Sequence, residues 1–187
     1  MLKKITHKYL IYNSLLRYKK ISQHIRGESL LDVGCAEGWV TYYAHEKEGY
    51  NVQLVDVVDL NETDLNFKLY DGKSLPFPDN SFDTVTALLT LHHCESPSTV
   101  LDEIYRVAKK RVIVTESVYH TRPGKMLLSL LDGGFNTMRS DGQISTALHF
   151  KTCPQWRKIF ADKKLKVIKE NWLTRGIHNQ RLFVLEK

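Results

Sequence analysis

Cysteine is scarce: Cys35, Cys94 and Cys153 are odd in number and far apart in the 187-residue chain. That spacing argues against a disulfide framework or a zinc module, and a reducing, cytoplasmic setting is expected. No apolar run approaches the roughly 18 residues that cross a bilayer, so no transmembrane segment is expected. Acid is missing from residues 1–27, which hold seven basic residues (Lys3, Lys4, Lys8, Arg17, Lys19, Lys20, Arg26). Of 27 basic and 21 acidic residues in all, 20 and 21 are left for the rest, so the net charge of +6 belongs to one segment. A nucleic-acid partner would want basic residues spread over a face, and none is expected. Repeats, low-complexity runs and linkers are absent as well. A single domain over 1–187 is expected.

What is present is an alternation of two periods. Residues 4–25 place Ile5, Tyr9, Tyr12, Leu16 and Ile25 at helical spacing, which predicts an amphipathic helix ended by Gly27. Short apolar runs then predict strands at Ser29–Val33, Asn51–Val57, Asn66–Tyr70, Phe82–Leu91 and Arg111–Glu116, with helices at Gly38–Glu48 and Ser98–Ala108. Such alternation implies βαβ units and a parallel sheet buried on both faces. About ten residues join the second and third strands, too few for a full crossover helix. Farther on, Pro123–Leu131 reads as a short helix broken by Gly133-Gly134. Cys153–Lys163 reads as a helix capped by Thr152 with Pro154 in its first turn. Two strands, Leu165–Trp172 and Gln180–Leu185, close the chain.

The densest chemical signal is Leu30-Leu-Asp-Val-Gly-Cys-Ala-Glu-Gly38. A buried strand enters a tight turn whose small residues (Gly34, Ala36, Gly38) let a ligand approach the backbone, and the next helix offers its N-terminal N–H groups. A dinucleotide fingerprint needs glycine at 36 and 39, where Ala36 and Trp39 stand, so hydride transfer is disfavoured. Asp56, about 20 residues beyond the turn at a strand's carboxyl end, is placed to accept both hydroxyls of a ribose. Asp71 can accept from an exocyclic amine, and Gly72 leaves its N–H for a ring nitrogen. There is no Gly-Lys-Ser/Thr phosphate loop.

Taken together, Asp32-x-Gly-x-Ala-x-Gly38, Asp56, Asp71-Gly72, Leu75-Pro-Phe-Pro-Asp-Asn-Ser-Phe-Asp83, Leu91-His-His93 and Glu103-Ile-Tyr-Arg-Val107 resemble a class I S-adenosylmethionine-dependent methyltransferase, nearest the small type 11 branch. The resemblance covers residues 28–116. It departs at Ala36, usually Gly, and at Lys109-Lys-Arg111, where a Lys-Pro-Gly-Gly turn is usual. It implies an α/β, three-layer Rossmann-like sheet, mostly parallel with an antiparallel final strand, in the order 3-2-1-4-5-7-6. It further implies S-adenosylmethionine as cofactor, S-adenosylhomocysteine as product and no metal. Its cofactor contacts fall on Asp32, Gly34, Cys35, Ala36 and Gly38 for the methionine part and ribose, and on Asp56 and Val57 for the diol. Asp71 and Gly72 fall on the adenine edge, and Ala87 and Leu88 on the methionyl end.

Methyl transfer from a sulfonium is an in-line displacement with an activated leaving group, so positioning supplies most of the acceleration. A base is needed only when the acceptor must lose a proton. His92 and His93 are the candidates. Neighbours on an extended segment point opposite ways, so one should face the pocket, and His93 is preferred. For the same reason a metal held by these neighbours is not expected. The acceptor site is expected between an N-terminal helical lid (1–27) and a substrate-side insert (117–150), with a C-terminal helix and strands in 151–187. Tyr9, Tyr12, Trp39, Tyr119, Phe135 and Phe150 are its candidate aromatics, and Tyr12, Asp132 and Asn136 its candidate contacts. The acceptor is expected to be a small molecule, anionic or lipid-like, drawn by Lys3, Lys4 and Lys8. A cofactor-binding protein without turnover, and an RNA or protein methyltransferase, are the alternatives.

Overall fold

The computed structural model describes residues 2–140, 142–144, 147, 149–176 and 178–187, apart from the side chains of residues 2–5 and 139. Seven strands make one sheet: β1 (Ser29–Val33), β2 (Asn51–Asp56), β3 (Asn66–Leu69), β4 (Phe82–Leu88), β5 (Ala108–Ser117), β6 (Lys166–Thr174) and β7 (Gln180–Glu186). Among the described residues five α-helices accompany them: α1 (Leu2–Ile21), α2 (Trp39–Glu48), α3 (Pro97–Val107), α4 (Arg122–Ser140) and α5 (Cys153–Asp162). The strand order is β3-β2-β1-β4-β5-β7-β6, with β1 to β5 parallel and β7 antiparallel to both β5 and β6. Order, mixed direction and layers are those expected.

Neighbouring residues on a strand face opposite sides, and the core divides accordingly. Leu31, Val33, Val85 and Ala87 face Leu101, Ile104, Trp156 and Phe160 of α3 and α5. Leu30, Val52, Leu54 and Val184 face Tyr18, Ile21, Val40 and Ala44 of α1 and α2. The chain leaves β1 toward β2 and returns through β4 on the other side. The sheet therefore reverses its winding between β1 and β4, where open α/β sheets leave a crevice beyond the strands' carboxyl ends.

The β2–β3 connection has no helix, as its length requires. Asn61 braces it, donating to the Thr63 carbonyl at 3.1 Å and accepting from the Thr63 N–H at 3.0 Å. Thr152 and Gln155 form a reciprocal capping box at the start of α5, with Pro154 in the first turn. Lys109 to Arg111 form no turn, because α3 runs straight into β5 at Ala108.

Three expectations fail. Gly133 and Gly134 do not break α4, which runs unbroken from Arg122 to Ser140. Each glycine costs a helix about 1 kcal/mol against alanine, too little to stop one seated by Leu128, Asn136 and Ser140. In α1 the buried positions are Thr6, Ser14, Tyr18 and Ile21 among the described side chains, whereas Tyr9, Tyr12 and Leu16 are exposed. Within α1 the predicted apolar stripe thus turns away from the sheet, while Ile25, past the helix, is buried against it; the side chains of Ile5, Lys3 and Lys4 lie outside the described residues. Finally, β4 ends at Leu88, three residues early. Leu89 takes a left-handed φ of 62°, and Leu91–His93 coil into one 3-10 turn.

Candidate active site

The turn after β1 is held by its backbone. The Gly34 N–H donates to the Val55 carbonyl at 2.8 Å and the Gly38 N–H to the Cys35 carbonyl at 2.9 Å. Gly34 (φ 70°), Ala36 (φ 48°) and Gly38 (φ 79°) are all left-handed. At Gly34 a Cβ would sit 2.1 Å from Thr90 Cγ2, so no larger residue fits there. Alanine at 36 accepts the strain, and its N–H donates to Asp56 Oδ2 at 2.9 Å, while Oδ1 accepts from the Val57 N–H at 2.7 Å. Asp56 therefore clamps the turn from the end of β2.

Asp32 is buried below this loop. It accepts from Thr41 Oγ1 at 3.0 Å and Thr86 Oγ1 at 2.7 Å, yet burial pushes its carboxyl up to about 6. The half-buried Cys35 thiol is pushed up by desolvation so far that it stays protonated. Asp71 begins an exposed turn. Its Oδ1 accepts the N–H groups of Ser74 and Lys73, each at 2.8 Å, which holds the carboxyl below the usual range. Gly72 follows with φ 75°. Arg106 of α3 secures the next segment, donating to the carbonyls of Leu75 and Phe77 while pairing with Glu103 and Asp79. That explains the first part of the Leu75–Asp83 motif and the Glu103–Val107 motif as two halves of one brace.

A cavity of about 660 Å³ opens beside the β1 turn. Its lining joins Asp32 and Gly34 to Gly38 with α1 (Leu10, Arg17), α4 (Asp132, Phe135, Asn136), His93 and the β6–β7 connection (Arg175, His178). Of the expected residues, Asp32, Gly34, Cys35, Ala36, Gly38, Leu88, His93, Asp132 and Asn136 meet there. Asp56, Val57, Asp71, Gly72, Ala87 and Tyr12 do not line it. Asp56, Val57, Asp71 and Gly72 continue the same sheet edge outside, Ala87 is buried in the core, and Tyr12 is exposed. Among the aromatics, Tyr9, Trp39 and Phe135 reach the cavity. Tyr119 and Phe150 instead pack with Leu128 in a small separate core.

The two histidines do not diverge, because the 3-10 turn curls both toward α4. Their rings lie 4.3 Å apart, and both approach Asp132: His92 Nε2 at 3.7 Å from Oδ1, His93 Nε2 at 3.6 Å from Oδ2. His92 is fully buried, stacks on Phe150 at 4.8 Å, and meets Glu116 Oε2 through Nδ1 at 2.7 Å. Burial opposes its protonation, but Glu116 and Asp132 outweigh burial and bring it up to about 9. Burial likewise works against ionised Asp132, and the two histidines overcome it, holding that carboxyl below the usual range. Asn136 Nδ2 donates to Asp132 Oδ2 at 3.1 Å, one helical turn away.

Sequence reasoning passed over Glu116, Arg17 and His178. Glu116 had a signal, an acid inside the apolar run Val112–Glu116 of a buried strand. His178, which meets Ser117 Oγ at 2.8 Å, had none; only the β6–β7 pairing brings it to the cavity.

Residues 31–115 match the family model described as "Methyltransferase domain". A demethylmenaquinone methyltransferase of Listeria welshimeri is 34% identical over 130 residues, 57% of this chain and 55% of the relative. A tRNA U34 carboxymethyltransferase of Nautilia profundicola is 28% identical over 106 residues, 50% of this chain and 35% of the relative. The chain thus spans about half or less of these curated relatives. A structure described as a SAM-dependent methyltransferase of Methanosarcina mazei superimposes with a TM-score of 0.67 at 20% identity, covering 89% of this chain and 96% of that one.

Proposed function

We propose that the chain is a class I methyltransferase of the type 11 branch and that it transfers a methyl group from S-adenosylmethionine to a small or lipid-like acceptor, a reading supported by the match of residues 31–115 and by the shared fold. The observation that carries this reading is the shared cavity: the β1 turn and the His93–Asp132–Asn136 cluster line one space. Its volume of about 660 Å³ lies within the roughly 300–1,000 Å³ usual for small-ligand sites.

The adenosyl end lies along the sheet edge, where Asp56 accepts the ribose hydroxyls and Asp71 and Gly72 meet the adenine. Asp32 faces the ammonium of the methionyl end. The sulfonium is flanked by the loop's carbonyls and thiol, and no phosphate-binding lysine is called for. Holding the acceptor in line with the methyl at roughly 3 Å supplies most of the rate. An acceptor that must lose a proton gives it to His93, and Asp132 steadies the resulting imidazolium.

Leu10, Leu16, Leu131 and Phe135 would receive the acceptor's apolar body, and Arg17 and Arg175 an anionic end. Those arginines take over the part first given to Lys3, Lys4 and Lys8. Residues 1–27 act as a lid and 117–150 as the acceptor-side insert of a single domain. Among the described residues no helix is long and apolar enough to cross a membrane. Free Cys35, Cys94 and Cys153 suit a reducing compartment, and on that ground we place the reaction in the cytoplasm.

Calorimetric titration with S-adenosylhomocysteine tests the reading. One equivalent should bind the intact chain, NAD should not, and D56A should weaken binding about 10–100-fold. That range corresponds to losing charge-assisted hydrogen bonds of about 1.5–3 kcal/mol. No affinity in the intact chain, or full affinity in D56A with its melting temperature preserved, would overturn it.

A further inference from the structure

Three ligand atoms converge at the inner wall of the cavity. The donor atoms of His92, His93 and Asp132 all lie within 4.8 Å of one another, and Asp132 is 3.6–3.7 Å from each imidazole nitrogen. Metal–ligand bonds of about 2.0–2.2 Å put the edges of a tetrahedral site near ~3.4 Å; each imidazole is already within a few tenths of an ångström of that from its nearer Asp132 oxygen, and the widest separation, at most 4.8 Å, closes by up to about 1.4 Å on binding. One histidine alone would be ordinary. The combination is not, because the two adjacent histidines share a carboxylate from another element.

A second observation points the same way. His92 is fully buried, and its Nε2, aimed at Asp132, has no hydrogen-bond partner among the described residues. At 3.7 Å the Asp132 oxygen is too far for a hydrogen bond, and an unpaired buried nitrogen is costly. The other ring nitrogen is firmly held. Nδ1 meets Glu116 Oε2 at 2.7 Å, and Oε1 of the same carboxylate accepts the Leu91 N–H at 2.9 Å. A carboxylate that accepts a hydrogen bond from Nδ1–H keeps that proton on Nδ1, so an ion arriving at Nε2 displaces the second proton and meets the lone pair there; such outer carboxylates commonly support metal-bound imidazoles. Phe150, stacked on the ring, fixes its plane.

We propose that His92, His93 and Asp132 bind one divalent transition-metal ion of the zinc class, with Glu116 as the positioning residue behind His92. Two imidazoles with one carboxylate favour zinc, cobalt or ferrous iron over magnesium, which prefers oxygen ligands. Three protein ligands leave positions open, and His93 and Asp132 line the cavity, so those positions face it. The ion site stands without the methyl-transfer reading. Only its use rests on that reading: with the ion in place His93 is a ligand, and coordination makes the acceptor more acidic.

The test is titration of the full chain, stripped with a chelator, with zinc by calorimetry and with cobalt by visible absorption. One equivalent should bind at about micromolar dissociation constant or tighter, with a cobalt spectrum of nitrogen and oxygen ligation. H93Q and D132N should each weaken binding at least about 100-fold, and E116Q about 10–100-fold with all three ligands kept. His93 is partly exposed, so H93Q is expected to fold, which its melting temperature checks. Absence of stoichiometric binding, a cobalt–thiolate spectrum, or unchanged affinity in H93Q and D132N would each overturn the site. S-adenosylhomocysteine titrated into the same sample reads the cofactor site separately, so failure of the ion site is distinguishable from failure of the proposed function.

Discussion

Asp32 is a carboxyl that burial holds near 6 although two threonine hydroxyls donate to it. Its folded value lies above the unfolded one, so between about pH 4 and 6 the folded chain binds the extra proton. Ionisation then costs stability as pH rises through that window. D32N escapes the cost. Its stability relative to the parent should rise by up to about 3 kcal/mol between pH 4 and 6.5 and stay level above, measured by urea unfolding across pH. A flat difference would mean Asp32 does not titrate in the folded chain as described. Cofactor affinity moves oppositely, because the ammonium wants the ionised form. S-adenosylhomocysteine should bind about tenfold more weakly at pH 5 than at pH 7, and the slope should vanish in D32N. The motif around Asp32 was legible in sequence, because small residues after an apolar strand describe a local turn. The raised value was not, since it depends on α2 and β4 closing over the carboxyl.

Helix α4 shows where local signals lose to packing. The Gly133-Gly134 pair reads as a break, yet it lies inside a helix that carries Asp132 and Asn136 on one face, one turn apart. An added Cβ at either glycine meets nothing within 4 Å, and neither has a left-handed φ. G133A and G134A should therefore each stabilise the chain by about 0.5–1 kcal/mol, raising the melting temperature by about 1–4 °C. Destabilisation would show that the helix bends there. The 3-10 turn after β4 is the companion case. Predicted as strand to Leu91, the segment promised diverging histidines. A left-handed Leu89 shortens the strand, and the coil brings both rings to α4. Strand and helix existence followed from periodicity. This three-residue departure had no periodic signature, yet it decided the site's geometry.

At the scale of the molecule, the cavity is walled by parts remote in sequence: α1, the β1 turn, α4 and the β6–β7 connection. Lys20 of α1 donates to the Leu173 carbonyl, tying the N-terminal helix to the far edge of the sheet. A ligand in that space bridges elements that otherwise touch little, and it binds only the folded chain. S-adenosylhomocysteine at 100 times its dissociation constant adds about 2.7 kcal/mol, so the melting temperature should rise by about 5–10 °C. An unchanged melting temperature at that concentration would contradict a cofactor held between those walls.

The amino-acid sequence by itself determined the alternation of strands and helices and the Asp32–Gly38 turn with Asp56 and Asp71 beside it, and the resemblance of its motifs implied the strand order. All of these are written in short windows of residues, where hydrophobic period and backbone freedom act locally. Tertiary structure alone decided which face of α1 is buried, that α4 runs through two glycines, and that His92, His93, Asp132 and Glu116 meet. Those outcomes turn on contacts between segments tens of residues apart, whose free energies of packing and burial outweigh local preference and leave no trace in any one window.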